Sequence, residues 1–587
     1  MIKLVKYLKP FAPFLVLAVG VLFLQAFCDL SLPNLMSQLV NTVLAQHPAD
    51  GDGSILRLGL GMLGIALTGG GAAVLVSFLS TRIATGVARD LRYAIFQKVE
   101  TFSSHEFDSF STASLITRCT NDVTQIQGLF IMGIRMLCYA PIMGIGGIVM
   151  TVSTAPSMSW IVVLAVVVLI GLVVLVISIV MPKFKVIQSL VDTLNRIARE
   201  ILNGLMVIRA FGAEDHEKKR FDKVNKDLIS TNLFVFRIMA LQMPLMQFIM
   251  NTAILLIIWN GSHQIAANAM GVGDMMAFIQ YTMHIIFSFL FLSMMFVMLP
   301  RTAVSADRIA KVLETDVSIK DPATPKDSAL PEKSEGRRGV KLEFKNVSFR
   351  YEGASEYALR DISFTAEPGH TTAIIGATGS GKSTIANLIL RFYDISEGSI
   401  TLDGIEIKAL SQNTLRSRIG YVPQKSILLS GPISFNLRYG KREASDEEIR
   451  GGAEIAQALD FIDDKGEGME MALAQGGTNV SGGQKQRLAI ARAIVRDPEL
   501  LIFDDSFSAL DFATDARLRQ ALVEKRKGST KIIVAQRVGT IMNAEKIIVM
   551  EEGRIAGMGT HRELMETCAE YREIAESQLS DKGDTHE

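Results

Sequence analysis

Cysteine is scarce. Four occur in 587 residues (Cys28, Cys119, Cys138 and Cys568), too scattered for a disulfide framework and without the spacing of a metal site. A disulfide-stapled secreted domain and a zinc module are both excluded. Surplus charge is missing too: Lys and Arg number 60, Asp and Glu 60, and the pI is near 7.1, so no basic field is available to hold nucleic acid. No cleavable signal peptide is evident; the first apolar run is long, lacks a small-residue cleavage site and reads as a retained span. Lysine and arginine are absent from 43–55, 154–158 and 263–274, and histidine is absent between His370 and His561.

What is present is apolar length. Hydrophobic residues make up 49% and charged residues 20%, and the mean hydropathy of +0.29 points to membrane spans. The chain is too long for one domain. Runs of spanning length occur at about 14–42, 56–80, 129–153, 159–181, 240–262 and 275–299, each near the ~20 residues a bilayer requires. Six spans put both ends on one side. Lys3, Lys6, Lys9, Arg82, Arg89, Arg92, Lys98, Arg118, a dense set from Lys183 to Arg237, Arg301 and Arg308 flank that side, while the three loops without Lys or Arg face the other, with Arg57 just inside the second span's outer edge. The positive-inside rule therefore predicts a multi-pass plasma-membrane protein with both termini cytoplasmic.

Two segments between spans, about 82–128 and 182–239, are long, charged and helical in period. They read as spanning helices that continue beyond the membrane and turn back, with "SSHEFDSFSTASLITR" and "FGAEDHEKKRF" as turns whose exposed aromatics suit docking. The transmembrane domain is set at 1–312. A Pro-, Ser- and charge-rich linker follows at 313–340, then an α/β domain at 341–577 in which short β-like runs ("KLEFKNVSFRY", "TTAIIG", "KIIVAQ", "KIIVM") alternate with helical ones, and a polar tail at 578–587.

The strand "TTAIIG" leads into Gly376-Ala377-Thr378-Gly379-Ser380-Gly381-Lys382-Ser383-Thr384 and a helical run. This is the phosphate-binding pattern G-x-x-x-x-G-K-[ST] in its strand–loop–helix setting. Backbone N–H groups and the helix N-terminus favour the phosphates, Lys382 reaches the outer ones, and the Ser383 hydroxyl suits Mg²⁺. Farther on, "NVSGGQKQRLAIARAIVRDPELLIFDD" places a Ser-Gly-Gly-Gln turn at the head of a helix about twenty residues before Asp504, a second metal-ligand candidate. With these motifs in this order over nearly the whole chain, the sequence resembles an ATP-binding cassette exporter half-subunit: a six-helix transmembrane domain with cytoplasmic helical extensions, fused to an α/β P-loop nucleotide-binding domain.

The resemblance implies further roles. Tyr351 stacks on adenine; Gln424 touches Mg²⁺ alongside Ser383 and Asp504; Ser481, Gly482, Gly483 and Gln484 form a signature that closes over nucleotide held by a second subunit; Asp511 lies in the loop crossing between sites; and the cytoplasmic helix tips seat on the nucleotide domains. Three positions depart from the family pattern. "ALAQGGTN", before the signature, lacks a glutamate. Asp505 stands where the family has the glutamate that orients the attacking water, withdrawing the carboxylate by about 1.5 Å, one carbon–carbon bond. Gln536 stands where the family has a histidine that contacts the γ-phosphate, and an amide neither carries positive charge nor shuttles a proton. Binding residues are intact while both residues serving the water have changed. The pattern resembles the degenerate subunit of a bacterial heterodimeric multidrug exporter, which binds ATP, hydrolyses it poorly, and completes a competent site in its partner.

For the transported molecule the signals are compositional. Methionine clusters at "MPLMQFIM" and "DMMAFIQYTMHIIFSFLFLSMMFVM" suit amphipathic, drug-like substrates as well as plain packing. Asp29, inside the first span, serves either to attract cationic substrates or to bond helix to helix. A lipid or peptide translocator, an importer of the same fold, and an ATP-gated regulatory membrane protein share these motifs.

Overall fold

The long apolar runs become long helices. The computed structural model describes residues 2–44, 51–331, 339–464 and 466–580. Among the described residues, six helices are long and apolar enough to span a membrane: Ala12–Leu44, Gly51–Glu100, Val123–Thr154, Ser159–Asn203, Glu214–Ala266 and Val272–Glu314. The second, fourth and fifth run well beyond the apolar stretches, as their charged helical period predicts, and the sixth does so as well. The first packs on the second, the third on the sixth and the fourth on the fifth. Small residues allow the close approaches: a Cβ added at Gly147 would lie 2.6 Å from Ile285 Cγ1, so the third and sixth helices meet there nearly backbone to side chain.

The turns differ from expectation. Residues 103–118 form two short helices, Ser104–Phe110 and Thr112–Thr117, followed by a π-helical turn, Arg118–Asp122. In the second hairpin the reversal falls earlier, around the short helix Leu205–Ala210, with Gly212 at φ 59°. The segment "EDHEKKRF", read as turn, is already helix. Glu214, Asp215 and Glu217 fill its first turn, where carboxylates complement the helix dipole.

The chain divides into two compact units, Met1–Glu100 with Ser111–Thr315 and Thr101–Phe110 with Asp316–Glu587. The second unit therefore includes the first hairpin's tip. The Glu106 carboxylate accepts from the Ser318 backbone N–H (3.0 Å), His105 pairs with Glu352 (3.0 Å), and the Tyr393 hydroxyl reaches Asp108 (3.5 Å). Phe102 stacks on Phe110, centroids 5.7 Å apart.

The segment read as a linker is partly a strap on the nucleotide domain. Ile319 and Leu330 are buried, Asp327 accepts from the Ser411 backbone N–H (2.9 Å), and Asp321 accepts from that of Gln412 (3.0 Å). Residues 332–338 of that segment, and 581–587 of the expected tail, lie outside the described residues; a helix, Ala569–Ser580, continues three residues into the expected tail.

In this unit β1 (Leu342–Phe349), β2 (Leu359–Ala366), β4 (Glu397–Leu402) and β5 (Ile405–Glu406) form an antiparallel sheet in the order β2-β1-β4-β5. A second sheet runs β12-β11-β3-β10-β9-β6, from β3 (Thr371–Gly376), β6 (Ile419–Val422), β9 (Leu500–Asp504), β10 (Thr530–Val534), β11 (Lys546–Glu551) and β12 (Arg554–Gly559). It is parallel except at β11–β12. Its central strands β9, β10, β3 and β11 are largely apolar because both their faces are covered, whereas β12 at the edge is exposed. Leu501, Phe503, Ile533 and Val549 join one core, and Leu500, Ile502, Ile532 and Ile548 the other.

Candidate functional site

Parallel strands deliver their carboxyl ends to one edge of a sheet, and ligands of such sheets bind there. β3, β10 and β9 are neighbours, with Val534 in register with both Ile374 and Asp504. Gly376 ends β3, Asp504 ends β9, and Gln536 follows β10 by two residues. Residues far apart in sequence thus arrive together.

The phosphate loop closes on the helix Lys382–Ile389. Gly381, its N-cap, has φ 97°, and a Cβ there would come within 2.6 Å of Leu359 Cδ2, so backbone conformation and space both demand glycine. Lys382 Nζ donates to the carbonyls of Gly376 (2.8 Å) and Ala377 (2.6 Å), with Ser380 Oγ at 3.4 Å. Burial depresses the Lys382 ammonium, and Asp505 and Asp504 pull it back up. Ser383 Oγ donates to Asp504 Oδ1 at 2.9 Å. Burial pushes the Asp504 carboxyl up, opposed by the Ser383 hydroxyl and reinforced by the charge of Asp505. A hydroxyl on a lone buried carboxylate, with the Gln424 amide nearby, is the oxygen set Mg²⁺ takes when phosphates and water supply the rest.

The water end is arranged differently. Asp505 Oδ2 accepts from Gln536 Nε2 at 2.9 Å and from Gln424 Nε2 at 3.2 Å, so one carboxylate oxygen is held between two amides. Burial raises the Asp505 carboxyl, while the Gln424 amide and Lys382 lower it. Asp505 also has φ 46°, in the left-handed region that short polar side chains tolerate best. Asp505 and Gln536, separate in sequence, are therefore one hydrogen-bonded unit.

Tyr351 is half-buried beside the loop. Its hydroxyl bonds Thr384 Oγ1 (3.1 Å), and its ring stands edge-on to Phe349 (4.7 Å) and Tyr393 (5.2 Å). Ser481 caps the helix Gly482–Val495 in a capping box: the Gln484 N–H donates to its Oγ (3.3 Å) and Gln484 Oε1 accepts from its N–H (2.9 Å). A Cβ at Gly482 would meet nothing within 4 Å, whereas one at Gly483 would sit 3.1 Å from the Ala509 carbonyl. Asp511 caps the helix Phe512–Lys525 through the Thr514 N–H (2.9 Å). Sequence reasoning missed Tyr421, which bonds Asp504 and whose phenol is pushed far up by burial and that charge. Its only sequence signal is its place in "GYVPQ", three residues before Gln424. In the membrane unit, Asp29 Oδ2 accepts from the Tyr139 hydroxyl at 2.5 Å, which joins the first and third spanning helices.

A six-helix membrane unit fused to a phosphate-loop domain with this order of motifs defines an ATP-driven membrane transporter. Known proteins agree. Residues 15–289 match the ABC transporter transmembrane region and residues 359–508 the ABC transporter family. An uncharacterized ABC transporter ATP-binding protein of Mycobacterium tuberculosis is 38% identical over 576 residues, 98% of this chain and 97% of the relative. An ATP-dependent lipid A-core flippase of Hahella chejuensis is 31% identical over 586 residues, 99% and 97% of the two chains. The solved structure of a bacterial Atm1-family ABC exporter with ATP bound has the same fold, with a TM-score of 0.79 and 23% identity over 98% of this chain and 99% of that one. The chain belongs to the ABC transporter family, as an exporter-type half transporter that carries its membrane and ATP-binding halves on one polypeptide. Half transporters of this kind dimerise.

Proposed function

We propose that the chain is the degenerate-site subunit of a heterodimeric exporter for amphipathic small molecules. Its own site holds ATP–Mg²⁺ through Lys382, Ser383, Gln424 and Asp504 and hydrolyses it slowly. A partner with the glutamate and histidine intact supplies the fast site, whose γ-phosphate faces Ser481 and Gly482 of this chain. The observation that carries this reading is the pair of amides on Asp505 Oδ2. An oxygen already accepting two N–H bonds, on a side chain one methylene short, is poorly placed to take a water proton. Positive-inside asymmetry supports cytoplasmic termini. The test is ATPase by the chain purified alone, then with its partner, alongside bound nucleotide. Strong Mg–ATP binding with little turnover alone supports the reading; turnover alone equal to that of the complex overturns it. Lipid translocation is the second reading, favoured by the flippase relatives that align over most of the chain.

A further inference from the structure

The membrane unit contains a cavity of about 370 Å³ between the second, third and sixth spanning helices. That is within the size range of small-molecule sites. Arg135 lines it, although it lies inside the apolar run 129–153, where a charge is costly and marks function by default. Arg135 is exposed and makes no ion pair or hydrogen bond among the described residues.

A second observation points the same way. Ser80, 3% exposed, lines the cavity, and its hydroxyl has no partner among the described residues. Thr68 on the same helix returns its hydroxyl to the carbonyl one turn back, at 2.8 Å, as apolar surroundings demand. Ser80 does not. Ser77 adds another hydroxyl, and Met132, Met136 and Phe291 supply the apolar wall. The acid of the first helix, Asp29, is occupied by the Tyr139 hydroxyl.

We propose that this cavity receives the acidic head of an amphipathic anion, a carboxylate or phosphate. Arg135 balances its charge, Ser77 and Ser80 donate hydrogen bonds, and the thioethers and phenyl ring bed the apolar part. The inference rests on the reading of the chain as an amphiphile exporter and fixes the sign of the substrate's charge. The expected attraction of cations by Asp29 gives way to selection of anions by Arg135.

The test uses the full transporter in phosphatidylcholine nanodiscs, with a dansylated fatty acid and a dansylated fatty amine of equal chain length. Arg135→Gln is expected to weaken the acid by about tenfold or more and leave the amine unchanged. Arg135→Lys should recover most of the loss, and Ser80→Ala should weaken the acid by about threefold. Repeating the titration with phosphatidylglycerol in the disc separates the sources. Competition that disappears in Arg135→Gln assigns the site to a lipid headgroup; no competition assigns it to the free amphiphile. If both probes bind and Arg135→Gln treats them alike, the inference falls and the amphiphile reading stands. If neither binds the unmodified transporter, both fall.

Discussion

The two ends of the nucleotide site follow different rules. At the cradle end, Gly381, Lys382, Ser383 and Asp504 meet demands that backbone geometry and metal chemistry impose, and nothing has been relaxed. At the other end, Asp505 and Gln536 are bonded to each other at 2.9 Å. On the proposed reading, holding a nucleotide and attacking it are separable tasks of adjacent residues.

The sharpest way to test that division is to break the site assigned to the partner. Ser481→Ala or Gly482→Glu should lower hydrolysis by the whole complex about 10²–10³-fold, the usual cost of a donor aimed at transition-state charge. Nucleotide held by this chain should be unaffected. A Cβ at 482 meets nothing within 4 Å in its own chain, so a defect there points to contact with another molecule. Normal turnover of either variant contradicts the trans role.

A smaller effect is expected from restoring the water end. Asp505→Glu with Gln536→His should recover part of the roughly 10²-fold that a 1 Å misplacement costs, read as single-turnover hydrolysis at this chain's site. Neither change alone should suffice, because each leaves half of the amide clamp in place.

The pH response should have two signs. The Asp504 carboxyl lies above its ordinary 3.8 because of burial. A raised acid contributes stability below its unfolded value and loses it as pH rises through the folded one. Between 3.8 and the raised value, the ligand-free nucleotide domain should therefore gain stability on acidification, measured by thermal melts. Mg–ATP affinity should move oppositely, weakening a few-fold as the metal loses its carboxylate, which titration calorimetry would show. Parallel trends would contradict the burial account.

The smallest effect belongs to Asp505→Asn. The carboxylate is already held between amides, so turnover of the complex should stay within about threefold, far less than the loss from a misplaced working base. A loss as large as that of the signature variants would mean that Asp505 works.

What the sequence revealed follows the same split. The loop Gly376–Thr384, the helix headed by Ser481 and the acid that ends β9 were legible because each has particular residue types at fixed spacing, and β3, β9, β10 and β11 because buried parallel strands are short apolar runs. The Asp505–Gln536 bond was not legible, since it joins two strand ends 31 residues apart. The strap at 316–331 was read as linker because Pro, Ser and charge look alike whether solvated or used as caps; only the burial of Ile319 and Leu330 distinguishes them. Arg135 went unremarked among substrate candidates because Ser77 and Ser80, which line the same cavity, sit on another helix, and no periodicity links helices that meet only in space.

Three peptide links join the two units, after Glu100, after Phe110 and after Thr315. Glu100 and Glu314 close the second and sixth spanning helices, and Ser111 lies 12 residues before Val123, where the third begins. One joint is already cocked: Ser111, the first residue beyond the tip, has φ 54°, a conformation serine seldom keeps. Ser111→Gly would relax it and Ser111→Pro would forbid it, a matched pair for asking how stiff the linkage must be.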